Sequence, residues 1–219
     1  MYPALQQGRT NLSRSVCTMP RAFDPIDRSR IHAALIATGM RHFERSGLRT
    51  ARVDDICRDV GIAKGSFYAF FPSKEELFMA IVAAREDQHR RDMLAFVDAS
   101  NAAPAERAAG FFDLILAKIE TDPILNILVL NGELAHLMRR LGPERFAQSE
   151  ADDRAFVEEI ARRWQHNGAQ PINPADLFGL MAICLSVAVQ RRQMTEGQYR
   201  PTIALLREMF IARLVGRSN

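Results

Sequence analysis

The chain has 219 residues, of which 47% are hydrophobic and 25% charged, and its formal net charge is +3. This is the composition of a soluble globular protein, long enough for one large domain or two small ones. The sequence holds neither a run of about 18 uncharged apolar residues nor an apolar N-terminal core. We therefore expect no membrane span and no secretory signal, and we predict a cytoplasmic protein.

The three cysteines, Cys17, Cys57 and Cys184, are odd in number and share no short metal-type spacing. They indicate a reducing compartment without a disulfide framework. Cys57 and Cys184 fall within apolar patterns, so we interpret both as small core residues. No metal site and no cofactor are expected.

Residues 1–22 are polar and have no helical or strand period. We predict that they form a disordered tail. An alternative is a basic arm that reaches a DNA minor groove.

A first helix is predicted to begin after an N-cap at Asp24 or Asp27 and to end at Gly47. Its apolar positions form one stripe, made of Ile31, Leu35, Ile36, Gly39 and Phe43.

The segment that follows predicts two short helices joined by a tight turn. Gly61 ends the first of them, because glycine adopts the left-handed conformation of a helix C-cap without steric cost. The second runs from about Ala63 to Phe71, where Pro72 disfavours a further helical residue. Such a pair is a helix-turn-helix, whose second helix can enter a DNA major groove. Because the preceding helix is expected to brace this pair, Arg28 or Arg49 could touch a phosphate. The first helix buries Val53, Ile56, Cys57 and Val60, which recur at helical spacing.

The second helix of the pair has an apolar side and a polar side. Ile62 and Phe67 can pack against the first helix. On the outward side, a lysine neutralises phosphate charge, hydroxyls bond phosphates or base edges, and a glycine lets the backbone come close. The residues predicted to contact DNA from this helix are Lys64, Gly65, Ser66 and Tyr68.

A third helix is predicted to begin at a capping box formed by Ser73 and Glu76. Lys74 lies in its first turn, where the helix dipole disfavours a cation. A phosphate beside Lys74 would explain its position. The surrounding charge agrees, because residues 28–72 hold eight basic and four acidic residues, a local net charge of +4.

The runs GIAKGSFY (residues 61–68) and FFPSKEEL (residues 70–77) resemble the signature of the TetR (tetracycline-repressor) family. The resemblance covers roughly residues 28–80. The family commonly has a phosphate-binding threonine just before Val53, but Ala51 and Arg52 stand there, so Thr50 or Arg52 would supply that contact. The resemblance implies a homodimer on a palindromic operator, released when a small molecule in the C-terminal domain changes the spacing of the two DNA-binding heads.

The rest of the chain predicts only further helices, giving an all-α fold of about nine helices. We expect three regions: a tail (1–22), a helix-turn-helix DNA-binding domain (23–87) and an effector-binding and dimerisation domain (88–219). Helix boundaries are predicted at Lys74, Asn101, Pro104, Asp122-Pro123, Gly142-Pro143, Asn167-Gly168, Asn173-Pro174 and Pro201.

The last two helices carry apolar residues on more than one face, which predicts a dimer through a four-helix bundle. The central helices offer apolar, aromatic and a few polar side chains, a mixture that suits an apolar or aromatic effector. The candidate pocket residues are Phe111, Ile115, Leu134, His136, Met138, Phe156, Trp164 and Met181.

Two other functions remain open. A helical enzyme would need converging titratable groups, but the five histidines are dispersed and no HExxH, GxSxG or Walker loop is present. We therefore expect a non-enzyme. A constitutive DNA-binding protein without an effector is the other alternative. For the dimeric regulator, half-sites should lie about one turn of DNA (34–36 Å), or a multiple of it, apart.

Overall fold

The computed structural model describes residues 24–99, 102–130, 132–166 and 171–215. The tail predicted at 1–22 lies outside the described residues, as do the helix ends predicted at Asn101 and at Asn167-Gly168. The described residues form ten α-helices, one π segment and one 3-10 turn without a strand, which confirms the all-α prediction. The elements are α1 (Pro25–Thr50), α2 (Val53–Val60), α3 (Lys64–Phe67), α4 (Lys74–Ala99), α5 (Pro104–Thr121), α6 (Pro123–Leu125), the π segment (Asn126–Leu130), α7 (Glu133–Leu141), α8 (Glu144–His166), α9 (Pro174–Val189), the 3-10 turn (Gln190–Gln193) and α10 (Glu196–Val215).

The buried side chains form two apolar cores, and α4 runs through both. Its first half contributes Leu77, Phe78 and Ile81 to a core shared with α1, α2, α3, α6, the π segment and α7. Its second half contributes Met93 and Val97 to a core shared with α5, α8, α9 and α10. A continuous helix of 26 residues therefore connects the helix-turn-helix end of the molecule to the rest.

Helices α1 and α4 pack closely in the first core. A Cβ on Gly39 would lie 2.8 Å from the Leu77 side chain, so glycine permits this approach. Phe43 and Phe78 meet edge to face, with ring centroids 5.2 Å apart. The apolar stripe predicted for the first helix is confirmed at these positions.

Residues close in sequence determine where the first helices begin and end. Asp24 caps α1, because its carboxylate accepts a hydrogen bond from the Asp27 amide at 2.8 Å. Gly47 interrupts α1 at φ 75°, where the sequence predicts its end, although helical turns continue to Thr50. Helix α3, predicted to run from about Ala63 to Phe71, is shorter than expected. It ends at Phe67, because hydrogen bonds from the amides of residues 69 and 70 to carbonyls three residues back tighten the chain into turns before Pro72.

The helix start predicted at Asp122-Pro123 is confirmed, but two other features of the C-terminal half differ from the prediction. The apolar run after Pro123 is divided into α6, the π segment and α7, with Gly132 at φ 70° capping α7. The last helix begins at Glu196 rather than near Pro201, because Thr195 and Gln198 form a capping pair in which the Thr195 amide donates to the Gln198 side chain at 3.0 Å.

Within the described residues, no helix combines the length and the apolar character needed to cross a lipid bilayer.

Candidate nucleic-acid interface

The turn between α2 and α3 is built as the sequence predicts. The Cys57 carbonyl accepts hydrogen bonds from the amides of Gly61 and Ile62 at 2.9 and 3.0 Å. Gly61 adopts φ 80°, a left-handed conformation that favours glycine. The side chains of Cys57 and Phe67 are buried beneath the turn. The two helices are therefore held together by their apolar sides, as predicted.

The opposite side of α3 faces solvent. Lys64 and Gly65 are exposed, Ser66 is half-buried, and Tyr68 keeps 51% of its surface exposed. The Tyr68 ring packs edge to face against the buried Phe67 at 5.3 Å between centroids. This contact orients the tyrosine while leaving it accessible. All four residues predicted to contact DNA from α3 are thus at least partly accessible to solvent.

Lys64 has an acidic neighbour on α2. Its ammonium lies 3.1 Å from the Asp54 carboxylate, and both side chains are more than half exposed. The hydrogen bond and the charge of Asp54 raise the pKa of Lys64, so this lysine is a cation at neutral pH. Because exposed ion pairs contribute little net stability, a phosphate can replace Asp54 at low cost.

Thr50 and Arg52 lie at the junction of α1 and α2, and both are exposed. Arg52 is the N-cap residue of α2, where its carbonyl accepts hydrogen bonds from the amides of Asp55 and Ile56 at 3.2 Å. Its side chain makes no capping bond to α2. Both side chains are therefore accessible at the start of the helix-turn-helix unit.

Lys74 has a structural explanation that the sequence did not reveal. Its ammonium donates to the carbonyls of Arg49 and Ala51 at 2.8 and 3.1 Å. These carbonyls belong to the last turn and the C-cap of α1, so the cation stabilises the negative end of one helix while it begins another. No phosphate is needed to account for a lysine at this position, so the helix dipole does not by itself indicate one.

The two arginines considered for phosphate contacts also have protein partners. Arg28 donates to the Ala69 carbonyl at 3.1 Å and lies over the Phe70 ring at 5.1 Å. Arg49 donates to the buried Glu133 carboxylate at 3.1 Å. Arg28 therefore fixes the turn after α3, whereas Arg49 connects the end of α1 to α7.

The start of α6 contains a buried carboxylate that sequence reasoning missed. Asp122 accepts hydrogen bonds from the amides of Ile124 and Leu125, and from Arg85 of α4 at 2.8 Å. His89 of α4 lies 3.0 Å away. Burial favours the neutral carboxyl, but these hydrogen bonds outweigh it and hold the pKa of Asp122 well below its usual range. The Asp-Pro pair predicted this cap, but its ties to α4 are visible only in three dimensions.

The structure does not bring the eight candidate pocket residues together. Phe111, Ile115 and Trp164 are buried in the second core, and Phe156 and Met181 pack at its edge. The remaining three residues lie on α7, which packs against the first core. Leu134 and Met138 are exposed there, and His136 lies 3.7 Å from Glu75.

A shared pocket built from these eight residues was therefore the wrong expectation, because most of the aromatic side chains fill a packed core. A cavity of about 370 Å³ opens instead between the end of α5, the π segment and the α9–α10 junction. None of the eight is among its lining residues.

Comparisons with known proteins agree with this architecture. The family model described as "Bacterial regulatory proteins, tetR family" matches residues 35–81. The transcriptional regulator AcuR of Cereibacter sphaeroides is 28% identical over 180 residues, covering 78% of this chain and 75% of that protein. The HTH-type transcriptional regulator EthR of Mycolicibacterium smegmatis is 36% identical over 50 residues, 23% of either chain. A TetR-family transcriptional regulator of Pectobacterium atrosepticum shares the fold, with a TM-score of 0.68, 18% identity, and coverage of 89% of this chain and 99% of that one.

The fold and the exposed α3 surface define a DNA-binding transcriptional regulator of the helix-turn-helix class. Residues 35–81 of this chain form the DNA-binding domain of the TetR family of bacterial transcriptional regulators. Over most of its length the chain is similar in sequence to one such regulator and in fold to another.

Proposed function

We propose that the chain acts as a homodimeric repressor, which binds a palindromic operator through two copies of α3 and is released by a small molecule. The observation that carries this proposal is the arrangement of α3, in which the buried Phe67 holds Lys64 and Tyr68 outward. Operator DNA is a cytoplasmic target, so we propose that the protein acts in the cytoplasm.

In this proposal the residues of the interface have separate roles. Lys64 exchanges Asp54 for a phosphate, and Thr50 and Arg52 contact the backbone at the start of α2. The hydroxyls of Ser66 and Tyr68 reach base edges or phosphates, and Gly65 lets the α3 backbone approach the duplex. Lys74 retains one ammonium hydrogen beyond its two carbonyl bonds and can direct it to a phosphate.

The dimer is proposed to form through α9 and α10. Four large apolar side chains on these helices are substantially exposed in the single chain: Phe178, Ile183, Leu205 and Met209. Large apolar patches of this kind mark interaction surfaces. Packing the two helices against their copies would produce the four-helix bundle expected from the sequence.

Release by an effector requires a mechanical connection between the C-terminal helices and the DNA-binding head. The head is proposed to comprise residues 23–87, and residues 88–219 the dimerisation and effector domain. Two side-chain contacts join the head to α7, the Arg49–Glu133 ion pair and the approach of His136 to Glu75 at 3.7 Å. Leu137 of α7 is buried in the head's own core. A displacement of α7 would therefore move the head.

Footprinting of the purified protein on DNA upstream of its own gene, combined with light scattering, tests the proposal. We expect protection of a palindrome with half-sites about 34–36 Å apart, or a multiple, and a mass of two chains. A single-chain mass at micromolar concentration contradicts the dimer, and the absence of any protected site contradicts operator binding. Thermal-shift screening with metabolite panels separates an effector-responsive regulator from a constitutive DNA-binding protein, because only the former is stabilised.

A further inference from the structure

The cavity between α5 and α10 is lined by both apolar and polar side chains. Its volume of about 370 Å³ is within the range of small-molecule sites. The apolar lining comes from α5, α6, the π segment and α9: Ile119, Leu125, Val129, Leu185, Ala188 and Val189. The polar lining is formed by Glu120, Asn126, Arg191, Glu196, Tyr199 and Arg200.

The charged groups of this lining are not equally paired. Glu196 accepts hydrogen bonds from both Arg191 and Arg200, the latter at 3.1 Å. Arg191 also lies over the Tyr199 ring at 4.4 Å. Glu120, in contrast, has a neutral partner among the described side chains, the Tyr199 hydroxyl, which donates to its carboxylate at 2.5 Å. Tyr199 is itself buried, so its hydroxyl fixes the carboxylate at the mouth of the cavity.

We propose that this cavity is the effector site of the regulator and that it binds an amphipathic cation, whose ammonium pairs with Glu120 and whose apolar body fills the space beyond. A cation adds an ion pair at Glu120 without breaking an existing one. An anion would have to compete with Glu196 for arginines that already share it. Both Glu120 and Arg200 are exposed, but only Glu120 is held in place by a hydrogen bond from a buried side chain, that of Tyr199.

The position of the cavity explains how its occupant would act on the head. The π segment and α6 form a wall between the cavity and the core of the DNA-binding head. Three of their residues line the cavity, namely Leu125, Asn126 and Val129. Three others are buried in the core of the DNA-binding head, namely Ile124, Ile127 and Leu128. A ligand that shifts this wall therefore shifts side chains packed against α1 and α4. Single π turns recur at functional sites in helices, which agrees with this role.

The regulatory part of this inference rests on the proposed function, so operator binding is measured first, without a ligand. Three probes with the same apolar body are then titrated by calorimetry: 4-phenylbutylamine, 4-phenylbutan-1-ol and 4-phenylbutanoate. We expect saturable binding of the amine, at least tenfold tighter than either of the other two.

Glu120→Gln should weaken amine binding at least tenfold, and Leu185→Trp should abolish it by filling the cavity. Glu106→Gln, an exposed carboxylate on the same helix, should leave amine binding and operator binding unchanged.

The amine should also weaken operator binding of the wild-type protein several-fold in fluorescence anisotropy, and that of the Leu185→Trp variant not at all. Absence of saturable amine binding, equal binding of all three probes, or an unaltered Glu120→Gln titration overturns the site. Amine binding without any effect on operator affinity overturns its regulatory role. A protein that binds no operator before ligand is added instead refutes the proposed function, and the calorimetric results still decide whether the cavity binds cations.

Discussion

The Arg49 guanidinium and the Glu133 carboxylate form an ion pair of 3.1 Å that joins the last turn of α1 to the first turn of α7. Glu133 is buried, whereas the Arg49 side chain is 61% exposed. Arg49 also lies next to Thr50, at the edge of the surface proposed to meet DNA. The same guanidinium can thus hold the head to α7 or turn to a phosphate.

Glu133→Gln tests this competition. The amide keeps the shape of the side chain but removes the charge that holds Arg49, so we expect operator affinity to rise several-fold. The slope of log affinity against log salt should steepen by about one ion. Anisotropy titrations at several salt concentrations measure both. Glu144→Gln, which removes an exposed charge nearby in the chain, serves as the control and should change neither. An unchanged slope in Glu133→Gln would show that Arg49 does not reach DNA.

Lys64→Ala should weaken operator binding and reduce its salt dependence by about one ion, because one phosphate contact is lost. Lys118→Ala removes an equal charge from α5, where the lysine pairs with Asp92, and it should leave the salt slope unaltered. Circular dichroism verifies that both variants are folded. Equal salt slopes for the wild-type protein and Lys64→Ala would argue against α3 as the groove-binding helix.

Lys74→Met should instead lower stability. The variant leaves the Arg49 and Ala51 carbonyls without their charged donor, so the free energy of unfolding should fall by about 1–3 kcal/mol. Lys64→Met is the matched comparison, because its partner is an exposed carboxylate rather than a helix end. Urea titrations of both variants give the difference. If Lys74→Met were as stable as the wild-type protein, these two hydrogen bonds would have no structural importance.

Gly65→Ala should weaken operator binding without lowering the stability of the fold. Nothing in the described structure lies within 4 Å of the position that a Cβ would take, and the backbone there is not left-handed. Alanine should therefore preserve stability or raise it by about 0.5–1 kcal/mol. Operator affinity should nevertheless fall, since the added methyl projects toward the approaching duplex. An operator affinity equal to that of the wild-type protein would place Gly65 away from DNA.

The helix-turn-helix was predictable from sequence because its determinants are local. The glycine turn at Gly61, the spacing around Ile56 and the cap at Ser73 each act within a few residues, and the structure contains all three. Only half of the predicted capping box is present. The Ser73 hydroxyl accepts from the Glu76 amide at 3.1 Å, but the Glu76 carboxylate pairs with Arg145 at 3.4 Å.

The C-terminal features were less predictable because they depend on contacts between distant segments. An apolar residue such as Trp164 has the same sequence pattern whether it fills a core or lines a pocket. The Tyr199–Glu120 bond joins residues 79 positions apart. The only local signal near this cavity was the Thr195–Gln198 pair, a capping pattern that would have moved the start of the last helix to Glu196.

Asp122 predicts a pH dependence of stability. Burial raises the pKa of this carboxyl, but hydrogen bonds from His89, the Leu125 amide and Arg85 hold it below its usual range. A carboxyl whose folded-state pKa is lowered contributes stability above its unfolded value of about 3.9. That contribution is lost as the pH falls through the folded-state value.

Asp122→Asn keeps an oxygen for the cap of α6 but removes the charge that Arg85 and His89 hold. We expect the free energy of unfolding at pH 7 to fall by about 2 kcal/mol, because the buried Asp122 loses its charge-assisted hydrogen bonds, while Arg85, 38% exposed, stays hydrated. The difference from the wild-type protein should shrink steadily between about pH 5 and pH 2, as the wild-type carboxylate is protonated. Asp113→Asn, in an exposed pair with Arg207, should cost at most about 1 kcal/mol. A loss at Asp122 of constant size across this pH range would assign its role to packing rather than to charge.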